Sequence, residues 1–191
     1  MVADPAILQE VTGFNFHRGC LALAWRPPEE PSTGRFLEAQ VLLALEGIGN
    51  PDNVGGLFRV AAAFGVDGLV LDPTSGDPFY RKAVRTSMGA VLNMPFERLA
   101  PWPAALASYR GMDFKVVALT PRPDAIPLQQ VAATLNGPLI VMLGAEGPGL
   151  SDPALAAADL LVRIPITSDV DSLNVTVAAG VALASLSSSA R

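Results

Sequence analysis

The stretch AQVLLALEGIGNPDNVGGLFRVAAAFGVDGLVLD, residues 39–72, decides the fold class. Residues 39–45 form a short apolar run that predicts a strand, and residues 54–65 have the apolar spacing of a helix. Gly65 is expected to end that helix, because glycine readily adopts the left-handed conformation found there. Residues 68–72 predict a second strand. A strand, a helix and a strand in this order indicate a parallel sheet.

The same alternation continues along the rest of the chain. Apolar runs predict further strands at 90–96, 115–120, 138–144 and 160–166. Helical spacing predicts further helices at 77–87, 102–110, 127–135, 152–159 and 172–188. Aromatic residues make up only 6% of the chain, so the core should be mostly Ala, Val and Leu. These features predict an α/β fold with a mostly parallel sheet flanked by helices.

Composition limits the organisation of the chain and its chemistry. The 191 residues, half of them apolar, suit one domain at 37–191, preceded by an extension and linker at 1–36. The single cysteine, Cys20, excludes an intramolecular disulfide and is expected in the core. With one histidine, His17, we expect no metal site. No apolar run reaches the ~18 residues of a membrane span, so we expect a cytoplasmic protein without membrane contact.

The charge distribution is compatible with a nucleic-acid partner. A net charge of −5 argues against a generally basic surface but does not exclude a local positive patch. Arg81, Lys82 and Arg85 lie within five positions of one another. They form either a solvated helix face or an RNA-binding patch, and the charges alone leave both interpretations open.

Three loops carry the unusual residues of the chain. They are residues 46–53, 144–151 and 165–174, and each follows a predicted strand. Ligands of parallel sheets bind in the loops at the carboxyl ends of the strands. The sequence therefore predicts that these three loops converge on one site.

The loop GAEGPG, residues 144–149, does not have the glycine order of a dinucleotide-binding loop. No Lys-Ser or Lys-Thr pair follows it, and the Glu146 carboxylate would repel a phosphate group. The loop suits a ligand that is uncharged or cationic where it makes contact. A tight turn before a helix capped by Ser151 is an equally good interpretation of the loop alone.

The other two loops place polar residues beside apolar helices. Asn53 is expected to cap a helix that starts near Val54. Arg59 lies among apolar residues of that helix, so it should face a cleft, a partner or an ion-pair carboxylate. In DSLNVTVAAG, residues 171–180, Asp171 or Ser172 can cap the final helix, which places Asn174 in its first turn. A buried amide there needs a hydrogen-bond partner.

These stretches together resemble the SpoU family, the TrmH-like RNA ribose 2′-O-methyltransferases of the SPOUT superfamily. NPDNVGGLFRVAAAFGV, LIVMLGAEGPGLS and RIPITSDVDSLNVTVAAGVALA resemble its three motifs in order, and RKAVRTSMGAVLNMPF resembles the segment between the first two. The resemblance extends over residues 39–188. It implies a deep C-terminal trefoil knot, a homodimer, RNA as substrate and S-adenosylmethionine as cofactor.

The resemblance also assigns roles to individual residues. The expected catalytic residues are Arg59, Asn53, Ser172 and Asn174. Asn174 is expected to hold the methionine end of the cofactor or the catalytic loop, with Ser172 and Asn53 as its polar companions. Arg59 corresponds to an arginine that acts either as a general base or by positioning the substrate, and a guanidinium rarely gives up a proton. The expected cofactor-binding residues lie in the second and third motifs: Leu143, Gly144, Glu146, Gly147, Ile164, Ile166 and Leu173. The helix bearing Arg59 and the final helix are expected to pack against the partner subunit.

Two other interpretations remain. One is a nucleotide- or NAD-dependent α/β protein, against which the glycine order and Glu146 argue. The other is a non-catalytic RNA-binding module on the same fold. The stretch VTGFNFHRGCLAL resembles the end of an N-terminal substrate-binding domain, which implies that most of that domain is absent here. His17 and Arg18 then either contact RNA or form a surface pair. The choice between transfer RNA and ribosomal RNA stays open.

Overall fold

In a computed structural model, the strands of the chain form one parallel sheet. The structure describes residues 4–13, 22, 24–26, 36–132, 134–167 and 172–186. The strands are Val41–Glu46 (β1), Gly68–Leu71 (β2), Phe96–Arg98 (β3), Lys115–Leu119 (β4), Ile126–Pro127 (β5), Leu139–Gly144 (β6) and Leu160–Arg163 (β7). Their order across the sheet is β3-β2-β1-β6-β4-β7-β5, and every neighbouring pair is parallel.

Helices connect the strands and cover the two faces of the sheet. The α-helices are Pro5–Thr12 (α1), Pro51–Ala63 (α2), Arg81–Thr86 (α3), Ala107–Arg110 (α4), Leu128–Ala132 (α5), Asp152–Ala156 (α6) and Val175–Leu186 (α7). Two short 3₁₀ segments occupy Ala90–Leu92 and Ala104–Leu106. No helix in the described part of the chain combines the length and the apolar composition needed to cross a membrane.

The central strands β1 and β6 build two cores, one on each face of the sheet. Successive side chains of a strand point to opposite faces. Leu43 pairs in register with Val141, and both lie in the core that includes α2 and α7. Leu42 pairs with Ile140, and both lie in the core on the other face. Burial on both faces explains why these strands read as continuous apolar runs rather than as alternating ones.

Two adjacent glycines let α2 pack between α3 and α7. A Cβ atom on Gly55 would lie 2.4 Å from the Ala83 carbonyl oxygen of α3. A Cβ atom on Gly56 would lie 2.8 Å from Thr176 Oγ1 of α7. Side chains at these two positions would push the helices apart. The close packing places the first turn of α2 beside the start of α7.

The structure confirms the α/β fold and the parallel sheet, and it corrects several elements. The prediction of a strand at 90–96 is wrong, because residues 90–92 form a 3₁₀ turn and β3 begins only at Phe96. A short apolar run does not by itself separate a buried turn from a strand. Gly65 follows α2 with φ +64°, as expected of a residue that ends a helix. Helix α1 and strand β5 were not predicted. The linker 27–34 and the residues His17, Arg18 and Cys20 lie outside the described residues.

Candidate active site

A cleft opens at the carboxyl edge of the sheet, where the loops after β4, β6 and β7 meet. The cleft spans about 760 Å³, a volume that includes space open to solvent. All seven residues predicted to bind a cofactor line this cleft, and so does Ser172. Leu119, Thr120 and Pro121 also line it, although the sequence analysis did not identify them. Leu119 ends β4, Thr120 and Pro121 follow it, and only the strand order places β4 between β6 and β7.

The loop after β6 turns back on itself within six residues. The Gly149 N–H donates to the Ala145 carbonyl oxygen at 2.9 Å, and Gly147 and Gly149 have φ of +86° and +72°. A Cβ atom on Gly144 would lie 2.2 Å from the Gly149 carbonyl carbon. The loop therefore requires glycine at 144 and favours it at 147 and 149. Ser151 caps α6 through a bond from the Ala154 N–H, so the predicted tight turn and cap are confirmed.

Glu46, at the end of β1, holds the far end of this loop. Its carboxylate accepts bonds from the Ser151 N–H at 2.8 Å and from Ser151 Oγ at 2.6 Å. It also accepts a bond from Trp102 Nε1 at 2.8 Å. Glu46 lies in the first of the three loops named above, but its role was missed. Its only signal in the sequence is a carboxylate directly after a buried strand.

Asn174 joins the three loops. Its Nδ2 donates to Asn53 Oδ1 at 3.1 Å and to Glu146 Oε1 at 2.8 Å. Asn53 belongs to the loop and helix after β1, Glu146 to the loop after β6, and Asn174 to the segment after β7. The predicted convergence of the three loops is therefore confirmed. The partners of Asn174 differ in part from those expected: Asn53 is one, but the other is Glu146, and within the described residues Ser172 makes no hydrogen bond to Asn174.

Two predictions about helix caps are wrong. Helix α2 begins at Pro51 and is capped by Asn50, whose Oδ1 accepts from the Asp52 N–H. Asn53 therefore lies inside the first turn, where it is buried and free to face Asn174. Helix α7 begins at Val175, and Asn174 itself accepts from the Thr176 N–H at 2.9 Å. Asn174 thus precedes the helix instead of lying within it, and Asp171 is outside the described residues.

Arg59 lies on α2 with its side chain exposed. Among the described residues it has no hydrogen-bond or ion-pair partner, so the ion-pair interpretation of this arginine is not supported within them. The guanidinium is available to a ligand. It lies on the same helix as Asn53, six positions further along.

The basic residues Arg81, Lys82 and Arg85 are exposed on α3. Lys82 Nζ lies 2.6 Å from Asp52 Oδ2, in the first turn of α2. The hydrogen bond from Lys82 keeps the pKa of the Asp52 carboxyl below its ordinary value. Asp52 precedes Asn53, so this ion pair places the basic helix beside the junction of the loops.

A buried aspartate orders the loop after β2, next to the loop after β1. Asp72 accepts bonds from Ser75 Oγ, from Thr74 Oγ1 and from the Gly47 N–H. Burial raises the pKa of this carboxyl, but the hydrogen bonds outweigh burial and lower the pKa from its ordinary value. The ionised form is therefore favoured in the folded protein.

The described residues contain no group of three or more His, Cys, Asp or Glu side chains placed to hold a metal ion. The cleft instead combines apolar walls, the peptide groups of a glycine-rich loop and one carboxylate, that of Glu146.

The sequence and the fold match one group of known proteins. The family model described as SpoU rRNA Methylase family matches residues 40–184. An uncharacterized tRNA/rRNA methyltransferase of Mycobacterium tuberculosis, Rv0881, is 41% identical over 94% of this chain and 63% of its own length. The chain thus spans less than two thirds of the length of that relative.

Two solved structures are also similar. An AdoMet-bound rRNA methyltransferase from Sinorhizobium meliloti has a TM-score of 0.67 and 28% identity over 75% of this chain and 54% of its own. A structure described as an RNA 2′-O ribose methyltransferase has a TM-score of 0.66 and 28% identity over 85% of this chain and 58% of its own.

Proposed function

The chain belongs to the SpoU rRNA methylase family, and from that premise we propose that it transfers a methyl group from S-adenosylmethionine to a ribose 2′-hydroxyl of transfer or ribosomal RNA. The observation that carries the proposal is the position of Asn174, which links three loops beside the cleft. The related AdoMet-bound and 2′-O ribose methyltransferases support both the cofactor and the reaction.

The residues of the cleft fit adenosylmethionine. Leu143, Ile164 and Leu173 supply apolar walls for an adenine ring, and the turn at 144–149 supplies peptide groups for hydrogen bonds to base and ribose. Ile166 and Ser172 line the same cleft. Glu146 places a carboxylate where a sulfonium is attracted and a phosphate is repelled. When bound, adenosylmethionine supplies an electrophilic methyl group.

The chain's own side chains shape the cleft and position the RNA. Asn174 holds the Glu146 loop against α2, which keeps the cleft in one shape before the ligand arrives. Arg59 binds the phosphate next to the target ribose and stabilises negative charge that develops on the 2′-oxygen. This positioning role is easier for a guanidinium than removal of the hydroxyl proton.

The proposal extends to assembly and location. We place a homodimer interface on α2 and α7, where Val177 and Val181 are 52% and 39% exposed and lie four residues apart on one face. Residues 1–36 act as an extension and 37–191 as the methyltransferase domain, with the C-terminal part threaded as a deep trefoil knot. The reaction is placed in the cytoplasm, where RNA and adenosylmethionine occur together.

Tritiated methyl transfer from adenosylmethionine to total RNA tests the proposal. The expected result is label in a ribose of transfer or ribosomal RNA, located by nuclease mapping. Calorimetric titration with adenosylmethionine and with NAD separates the proposal from a dinucleotide-dependent enzyme. Binding of adenosylmethionine without transfer to any RNA pool would instead identify a non-catalytic RNA-binding module.

A further inference from the structure

An exposed tryptophan, Trp25, immediately precedes Arg26, which contacts the segment leading into α3. Trp25 is 99% exposed, although burial of an aromatic side chain normally stabilises a fold. Within the described part of the chain, no hydrogen bond or ring contact involves the Trp25 side chain. An indole ring in water beside cations is typical of surfaces that bind nucleic acid.

The residue after Trp25 is anchored to the body of the protein. Arg26 Nη1 donates to Asp77 Oδ2 at 2.8 Å, and the guanidinium carbon lies 5.5 Å from the centre of the Phe79 ring. Phe79 in turn packs against Phe96 of β3, with ring centres 5.4 Å apart. The position of Trp25 is therefore fixed by the two contacts that the next residue, Arg26, makes with the domain.

This anchor places Trp25 close to the start of α3. Tyr80 follows Phe79, forms the N-terminal boundary of α3 and is itself 56% exposed. Arg81, Lys82 and Arg85 then follow on the exposed surface of the helix. Two exposed aromatic rings thus border a cluster of cations, and we call these five residues the α3 patch.

The charge of the α3 patch differs in sign from that of the whole chain. The patch contains three cations, Arg81, Lys82 and Arg85, and no carboxylate of its own; the carboxylate of Asp52 pairs with Lys82 from the neighbouring helix. The chain as a whole has a net charge of −5. A local positive surface on an acidic protein favours contact with a polyanion at this place.

Resting on the proposed function, we propose that the α3 patch binds an unpaired segment of the substrate RNA, with a base stacked on Trp25 and phosphates held by the α3 cations. Aromatic side chains bind RNA mainly by stacking on unpaired bases, so the proposed substrate class is RNA with the target ribose near a loop or bulge. The ion pair of Lys82 with Asp52 places the patch one residue from Asn53, beside the cleft.

Tryptophan fluorescence of the full chain tests the stacking contact. The chain has two tryptophans, so a Trp102→Phe variant, checked for native circular dichroism, leaves Trp25 as the only indole emitter. We expect a 12-nucleotide oligouridylate to quench this emission and a blunt RNA duplex of equal charge to leave it nearly unchanged. Equal quenching by both probes, or by neither, would overturn the proposal.

Affinity for total RNA gives a second, independent test. Trp25→Ala is expected to weaken binding about tenfold, the effect of losing one base stack, while Trp25→Phe retains most of the affinity. Arg85→Ala should lower the salt dependence of binding, whereas Lys115→Ala, an exposed cation at the amino end of β4, serves as the charge-matched control. Wild-type affinity of Trp25→Ala would refute the stacking role.

The two proposals fail in different ways. If the wild type methylates RNA and Trp25→Ala has an unchanged KM for that RNA, the α3 patch proposal is wrong and the proposed function stands. If the wild type methylates no RNA but single-stranded RNA still quenches Trp25, the patch is an RNA-binding surface and the methyltransferase proposal falls.

Discussion

Replacing Asn174 with aspartate should separate the three loops while leaving α7 capped. The amide nitrogen donates to Asn53 Oδ1 at 3.1 Å and to Glu146 Oε1 at 2.8 Å. The oxygen of the same side chain caps α7 through the Thr176 N–H. Aspartate keeps a cap oxygen, loses both donors and places a second carboxylate against Glu146.

The contacts of Asn174 determine how much the free energy of unfolding should fall. Each lost hydrogen bond is worth about 1 kcal/mol at a partly exposed position. Two carboxylates about 3 Å apart in wet surroundings repel each other by about 1 kcal/mol more. We therefore expect Asn174→Asp to lower the free energy of unfolding by about 3 kcal/mol at low salt. Asn174→Ser keeps the cap without added charge and should lose about 2 kcal/mol.

Urea denaturation at low and high ionic strength measures both differences. The gap between Asn174→Asp and Asn174→Ser should shrink as salt screens the repulsion. Calorimetry should show weaker adenosylmethionine binding in both variants, because the Glu146 loop is no longer held. Wild-type stability and affinity in Asn174→Asp would refute the claim that this amide joins the loops.

Three further predictions address the site and its support. Arg59→Ala should abolish methyl transfer but change the free energy of unfolding by less than about 0.5 kcal/mol, since the side chain is exposed. Tritium transfer checks the activity and gel filtration checks whether the proposed dimer persists; near-normal turnover would contradict the role proposed for Arg59. Gly144→Ala should destabilise the protein by about 1–3 kcal/mol, because the added Cβ would lie 2.2 Å from a backbone atom. Gly180→Ala should stabilise it by about 0.5–1 kcal/mol, because the Cβ there would lie 3.9 Å from Val60 Cγ1 and alanine favours a helix. Thermal melts compare the two variants, and equal shifts in melting temperature would refute the steric argument. Because the pKa of Asp72 is lowered in the folded protein, its ionised form stabilises the fold above the unfolded-state pKa of about 3.9, and this contribution is lost as the pH falls through the folded-state pKa. Asp72→Asn should therefore be less stable than the wild type at pH 7, and the difference should narrow below about pH 4. A difference in stability that stays constant across pH would contradict the role assigned to Asp72.

The individual elements were largely predictable from local sequence. The apolar runs that become β1 and β6 and the spacing that becomes α2 are local patterns, and they were predicted close to their observed ranges. The strand predicted at 90–96 was wrong because a buried 3₁₀ turn and a buried strand need the same apolar residues. Asn53 was assigned to a cap because the sequence does not show that Asn50 already holds that place.

The sequence by itself determined the alternation of strands and helices, the glycine-rich turn at 144–149 and the family that these motifs resemble, because each depends on residues close together in the chain. Only the tertiary structure decided that Asn174 bonds to Asn53 and Glu146, and that Glu46 holds Ser151. Asn53 is 121 positions from Asn174, and Glu46 is 105 positions from Ser151. Contacts at such separations depend on strand order, and strand order is set by how the elements pack and not by any local pattern.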